Sequence, residues 1–355
     1  MSDDTAAPRR RLTKTHKRLL GGVGSIAVVV AVFAFFLPRI ADYRSVWAVM
    51  RELDWKDWAL LSASTLLNLA TFPPVWMAAL PGLGYRRAMA MTQASTALSI
   101  VSPAGAAVGM AGSYSMLRSW GFGAGPVGLA VAVTGIWNQL ANLTFPVVAL
   151  ALLTAADEGH PALRTAALVA VAILIVVLVS FGLTLSRPRR ARRIGALAAR
   201  FASRAKRLVR RGPVSWGGES FVRFRSQTLG LLRRRWHVIT VATLAGHLTV
   251  FVLLVACLRV VGVSDSEIAV VEAFAAWALV RILGALPLTP AGVGIVEIGL
   301  TGALVAFGAP NAEAVAATLL YRALTVLPTL GLGLLAAATW RTHHPGESIE
   351  SPRDP

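Results

Sequence analysis

The chain has 355 residues, 55% hydrophobic and only 15% charged, with a mean hydropathy of +0.64 and a formal net charge of +18. Soluble domains carry roughly 25% charged residues, so the composition excludes a water-soluble globular protein. The charge excess is local: residues 186–236 hold sixteen Arg or Lys against Glu219 alone, as the positive-inside bias produces between membrane spans, so the pI of 11.6 is not read as nucleic-acid binding.

The chain opens with a basic tail, 1–18, whose "RRRLTKTHKR" at 9–18 predicts a cytoplasmic amino terminus. An apolar run at 19–37 follows. A cleaved signal peptide is the competing reading, but the run is long, and Phe33, Phe35 and Phe36 stand where a small-residue cleavage site would be. The loop 38–57 balances four basic with four acidic residues and carries Trp47 and Trp55, with Trp58 just beyond it; such tryptophans suit the membrane interface. Span 58–80 returns inward to Arg86 and Arg87.

Residues 88–117 decide the topology. A single crossing there would put the arginine-rich segment 186–236 outside, against the strongest orientation signal in the chain. A there-and-back pair of half-helices, broken at Ser102-Pro103-Ala104-Gly105, keeps that segment inside. Proline removes a backbone donor and glycine tolerates unusual dihedrals, so the break has a mechanism. Span 126–153 then runs out to the Asp157-Glu158 loop, and 165–186 returns. Within the segment, Ile194, Leu197, Phe201, Ala205 and Leu208 recur at helical spacing among arginines. That pattern fits a helix lying on the inner leaflet as well as a plain orientation signal.

In the second half, span 238–259 leads out to Asp265 and Glu267, and residues 268–308 form another broken pair, interrupted at Leu288-Thr289-Pro290-Ala291-Gly292. Span 314–340 closes the domain before a polar tail, 341–355. "SPAG" at 102–105 nearly repeats "TPAG" at 289–292; setting Ser102 on Thr289 also aligns Pro103 with Pro290, Gly105 with Gly292 and Gly112 with Gly299. The expected architecture is therefore an all-α polytopic membrane protein, with six full spans and two re-entrant hairpins in an inverted repeat over residues 19–340. The two breaks would meet near the midplane, as in many secondary transporters.

Four ionisable groups fall inside apparent spans: Glu272, Arg281, Glu297 and Arg322. Each costs roughly 2.5–3.5 kcal/mol or more if unpaired, so each predicts an inward face and a partner. Arg281 precedes the second break and Glu297 follows it, a spacing that lets the two approach across the hairpin. Arg281 and Arg322 are read as receiving an anionic headgroup, with Glu297 as counter-ion or proton carrier; Pro290, Gly292, Gly294, Pro103 and Gly105, at the two breaks, are read as further substrate-binding positions. Glu272 is read as snorkelling outward. Asn138, Gln139 and Asn142 are read as helix glue, and His247 as a satisfied core residue. The single Cys257 excludes an intrachain disulfide and a CxxC metal site. No nucleophile elbow, zinc-protease motif or Walker loop is present, so neither an enzyme nor a cofactor is expected.

"LPLTPAGVGIVEIGLTGALVAFG" (286–308), "YRALTVLPTLGLG" (321–333), "LDWKDWALL" (53–61) and "SPAGAAVGMAGSYSMLRSWG" (102–121) resemble the lysylphosphatidylglycerol synthase transmembrane, or flippase-like, family, over about residues 20–340. Its most specific stretch carries Pro290, Gly292, Gly294 and Glu297, and Arg322 matches the family's arginine after tyrosine. The resemblance implies movement of a lipid between leaflets of a bacterial plasma membrane. The chain ends about 15 residues past its last span, so a stand-alone membrane domain without lysyltransferase activity is expected. Only small residues run from Ala104 to Gly109, where other members carry an arginine and an acid, which sets aminoacylated lipid in question. The expected partners are membrane lipids with anionic headgroups and an envelope-lipid synthase; the oligomeric state is not legible. A non-transporting membrane partner that anchors or regulates such an enzyme is the alternative reading.

Overall fold

The computed structural model describes residues 51–102, 105–156, 161–186, 218–284 and 292–339, with isolated positions among 44–48 and 189–203. The expected span 19–37, both tails, residues 204–217 of the arginine-rich segment and the prolines Pro103 and Pro290 lie outside the described residues. Those that are described are helical, with no strand among them.

Helix α1 (Trp55–Thr71) starts where Asp54 accepts from the Lys56 and Asp57 N–H groups and Asp57 reaches back to Asp54 N, a reciprocal cap that satisfies the first-turn donors. The pair Pro73-Pro74 then ends it at Phe72 and begins α2 (Pro73–Ala79). Proline has no N–H to donate, so two successive prolines remove two rungs of the helical hydrogen-bond ladder. The expected span 58–80 is thus interrupted, a consequence of the proline pair that its hydropathy conceals.

Helices α3 (Tyr85–Val101) and α4 (Gly105–Ser119) form the first expected hairpin, separated at Ser102, whose backbone is extended. Two long helices follow, α5 (Ala124–Ala156) and α6 (Pro161–Ser186), then α7 (Gly218–Val260). Helix α7 begins about twenty residues before the expected span 238–259. Arginine is a good helix former, so the stretch through Arg233, Arg234 and Arg235 continues the span rather than capping it. The second hairpin is α8 (Val270–Gly284) and α9 (Ile295–Ala306), and α10 (Asn311–Thr339) closes the bundle. Among the described residues, Ala124–Ala155, Thr165–Leu183, Glu219–Val260 and Asn311–Thr339 are long and apolar enough to cross a membrane. By contrast α3, α4, α8 and α9, at 17, 15, 15 and 12 residues, extend only about 18–25 Å at the helical rise.

In lipid the drive to pack helices comes from close fit rather than from apolar burial, and small residues supply it here. A Cβ on Gly109 would lie 2.8 Å from Ser95 O and collide with the Ser99 hydroxyl, and one on Gly105 would meet the Ser99 carbonyl. Across the α3–α10 crossing, a Cβ on Gly333 would lie 2.7 Å from Gln93 O. Helix α3 of the first hairpin packs on α10, and α8 of the second packs on α5. Each hairpin's leading helix therefore rests on the long helix that follows the other hairpin. The larger core joins α5, α7, α8, α9 and α10 around Phe145, Phe251, Phe274 and Trp277.

Candidate functional site

The second hairpin restarts through two glycines in left-handed backbone, Gly292 (φ 66°) and Gly294 (φ 86°). L side chains rarely adopt that region, and a Cβ on Gly292 would also come within 2.9 Å of Val296 Cγ2. Gly294 is the N-cap of α9 and supplies no capping side chain, so the carboxylate three residues on takes over. Glu297 Oε2 accepts from Gly294 N at 2.6 Å. Its other oxygen, Oε1, accepts from Arg322 Nε on α10 at 2.6 Å. The side chains are 6% and 15% exposed, so this is a buried, charge-assisted pair. One carboxylate fixes the restart of α9 and ties it to α10.

The sequence expectation that Glu297 approaches Arg281 is therefore corrected. Glu297 is committed to its own helix start and to α10, and Arg281 is held by neutral groups on two other helices. Asn142 Oδ1 on α5 accepts from Arg281 Nε at 3.2 Å and from Nη2 at 2.6 Å. His247 Nδ1 on α7 lies 2.7 Å from Nη2; a guanidinium has no acceptor, so the imidazole nitrogen accepts. The guanidinium carbon sits 4.7 Å from the centroid of the Trp277 ring, one turn back on α8. Asn142 and His247, read from the sequence as glue and core, are thus the first contacts of the buried cation. The signal for them was Arg281 itself: an intramembrane cation needs acceptors on facing helices, and polar residues inside spans are few.

A cavity of about 240 Å³ lies between these groups, lined by Arg281, Arg322, Asn142, Trp277 and Tyr321 together with the apolar Val280, Gly284, Val296 and Leu300. Among the described residues, then, the structure brings together Glu297, Arg322, Arg281, Gly292 and Gly294. Gly105 lies in the α3–α4 contact, and no described residue of the first hairpin lines the cavity. The limbs of the two hairpins do not pack extensively on each other; the tips expected to meet, 103–104 and 285–291, lie outside the described residues. Glu272 accepts from Ala269 N at 2.8 Å, so it caps the start of α8.

The described residues form an all-helical bundle with helices long and apolar enough to cross a membrane, and that defines an integral membrane protein. The chain belongs to the lysylphosphatidylglycerol synthase TM region family, whose model matches residues 22–333. A search of curated proteins returned no match.

Proposed function

We propose that this protein moves an anionic or polyprenyl-type lipid between the leaflets of a bacterial plasma membrane, without catalysing a covalent step, and with both termini cytoplasmic. The observation that carries the reading is the charge of the cavity. Two guanidinium groups and one carboxylate line or adjoin it, and the carboxylate is already spent on Arg322, which leaves one positive charge that an anionic headgroup would neutralise. Ionisable groups at membrane depth mark substrate paths more often than packing.

The mechanism follows from Glu297's two contacts. A headgroup oxyanion entering the cavity competes with Glu297 for Arg322, and yielding that contact frees α9 from α10 while the Gly294 cap persists. The second hairpin then shifts against the long helices and exposes the headgroup to the other leaflet. The reciprocal packing of each hairpin's leading helix on the other half's long helix is what an inverted repeat would produce, and it supports this alternation. Gly112 and Gly299, matched in the sequence alignment, each bring a return limb against its leading limb, at Leu98 and at Leu283 and Val280 respectively. The limbs are shorter than the roughly 30 Å hydrocarbon core, as re-entrant elements are. The test is reconstitution into phosphatidylcholine vesicles containing trace tail-labelled phosphatidylglycerol, with dithionite reading label movement between leaflets. Movement well above protein-free vesicles, lost in Glu297→Gln, is expected; transfer at the protein-free rate overturns the proposal.

A further inference from the structure

Arg281 is held by two acceptors that carry no charge, and we propose that Asn142 and His247 are positioning residues that present it as a reader of phosphate oxyanions. A guanidinium has five N–H donors in a fixed plane. Asn142 takes the Nε edge and one Nη2 donor, and His247 takes the other. The two donors of Nη1 have no partner among the described residues, and the side chain lines the cavity. The Trp277 ring lies against the guanidinium, 4.7 Å from its carbon to the ring centroid. His247 is 4% exposed, and its own ring is pinned edge-on by Phe72 at 5.9 Å and Phe145 at 5.8 Å.

Neutral holders matter because a carboxylate in either place would satisfy the geometry and cancel the charge. Asparagine and a neutral imidazole orient the cation and leave its charge to be met by a ligand. Planar paired donors match phosphate oxygens, which is why arginine serves for phosphate recognition. This deepens the transport reading and shares its site, but it concerns equilibrium binding and stands or falls on that.

The experiment measures thermal stabilisation of the detergent-purified full chain by dioctanoyl phosphatidylglycerol, dioctanoyl phosphatidylcholine and inorganic phosphate. Phosphatidylglycerol is expected to bind wild type at least tenfold more tightly than phosphatidylcholine. Asn142→Asp is isosteric and pairs Arg281 with a carboxylate, so the variant folds; its preference should fall to near unity. His247→Phe keeps a ring and removes the acceptor, and should lose most of the preference, while His247→Asn, which restores an acceptor near the Nδ1 position, should recover it. Stabilisation by phosphatidylglycerol alone assigns the oxyanion to a lipid; equal stabilisation by free phosphate assigns it to a soluble anion that the same donors read. If Asn142→Asp is stable and keeps the wild-type preference, the holders serve packing only and the inference is overturned. Vesicles that show no lipid movement beside intact binding would defeat the transport reading and leave this one standing.

Discussion

At the scale of single residues, the Glu297–Arg322 pair does two jobs with one carboxylate, and that predicts a graded mutational series. Glu297→Gln keeps the shape and leaves Arg322 without its charge partner; breaking a buried pair costs about 3–5 kcal/mol. Glu297→Asp is one methylene shorter and reaches either Gly294 N or Arg322, but not both, so it should fall between wild type and Gln. Combining Glu297→Gln with Arg322→Gln should cost less than the sum of the single changes, with a coupling of about 1–3 kcal/mol, read from unfolding midpoints in mixed micelles. Additive losses would mean that the two side chains are adjacent without being coupled. The sequence made the intramembrane charges conspicuous and misassigned one partner. Sequence distance across the break puts Arg281 nearest to Glu297, but the direction of a carboxylate at the third position of a helix is set by the N–H it caps. That direction aims Glu297 at α10.

The helical elements are held together by absent side chains as much as by present ones. Gly109 and Gly333 mark close approaches, α4 on α3 and α10 on α3, where an added methyl meets backbone oxygen at 2.8 and 2.7 Å. Backbone cannot swing aside as a flexible side chain can, so Gly109→Ala and Gly333→Ala should each destabilise by about 1–3 kcal/mol. Gly302, with nothing within 4 Å of a built Cβ, is the matched control, and Gly302→Ala should be neutral or slightly stabilising. Equal melting temperatures for all three would contradict the close packing. Most of these elements were legible in the sequence, because twenty apolar residues have few alternatives and proline and glycine punctuate them. The interruption at Phe72 was not, since hydropathy averages over a proline pair. The early start of α7 was hidden for the opposite reason: arginines mark the edge of the membrane without marking the end of a helix. Helix-to-helix partnership was hidden altogether, being a matter of which small residues face each other.

The packing of the whole molecule is reciprocal, and that arrangement bears on orientation. If the first hairpin enters and leaves on one face, the helices between it and the arginine-rich segment bring residues 186–236 to the cytoplasmic side. If it crosses once, they carry the segment outside. The hairpin's limbs lie antiparallel, with Ala88 and Met91 near the start of α3 clustered with Met116 and Leu117 near the end of α4, which is the arrangement the proposed re-entry requires. Cys257, the single cysteine, is fully buried, and replacing it with alanine leaves a clean background for one introduced thiol. In that background, Ser203→Cys should resist a membrane-impermeant maleimide in intact cells and react once the membrane is permeabilised. Labelling from the outside in intact cells would mean that residues 88–117 cross the bilayer, and would remove the re-entrant hairpin from the transport cycle.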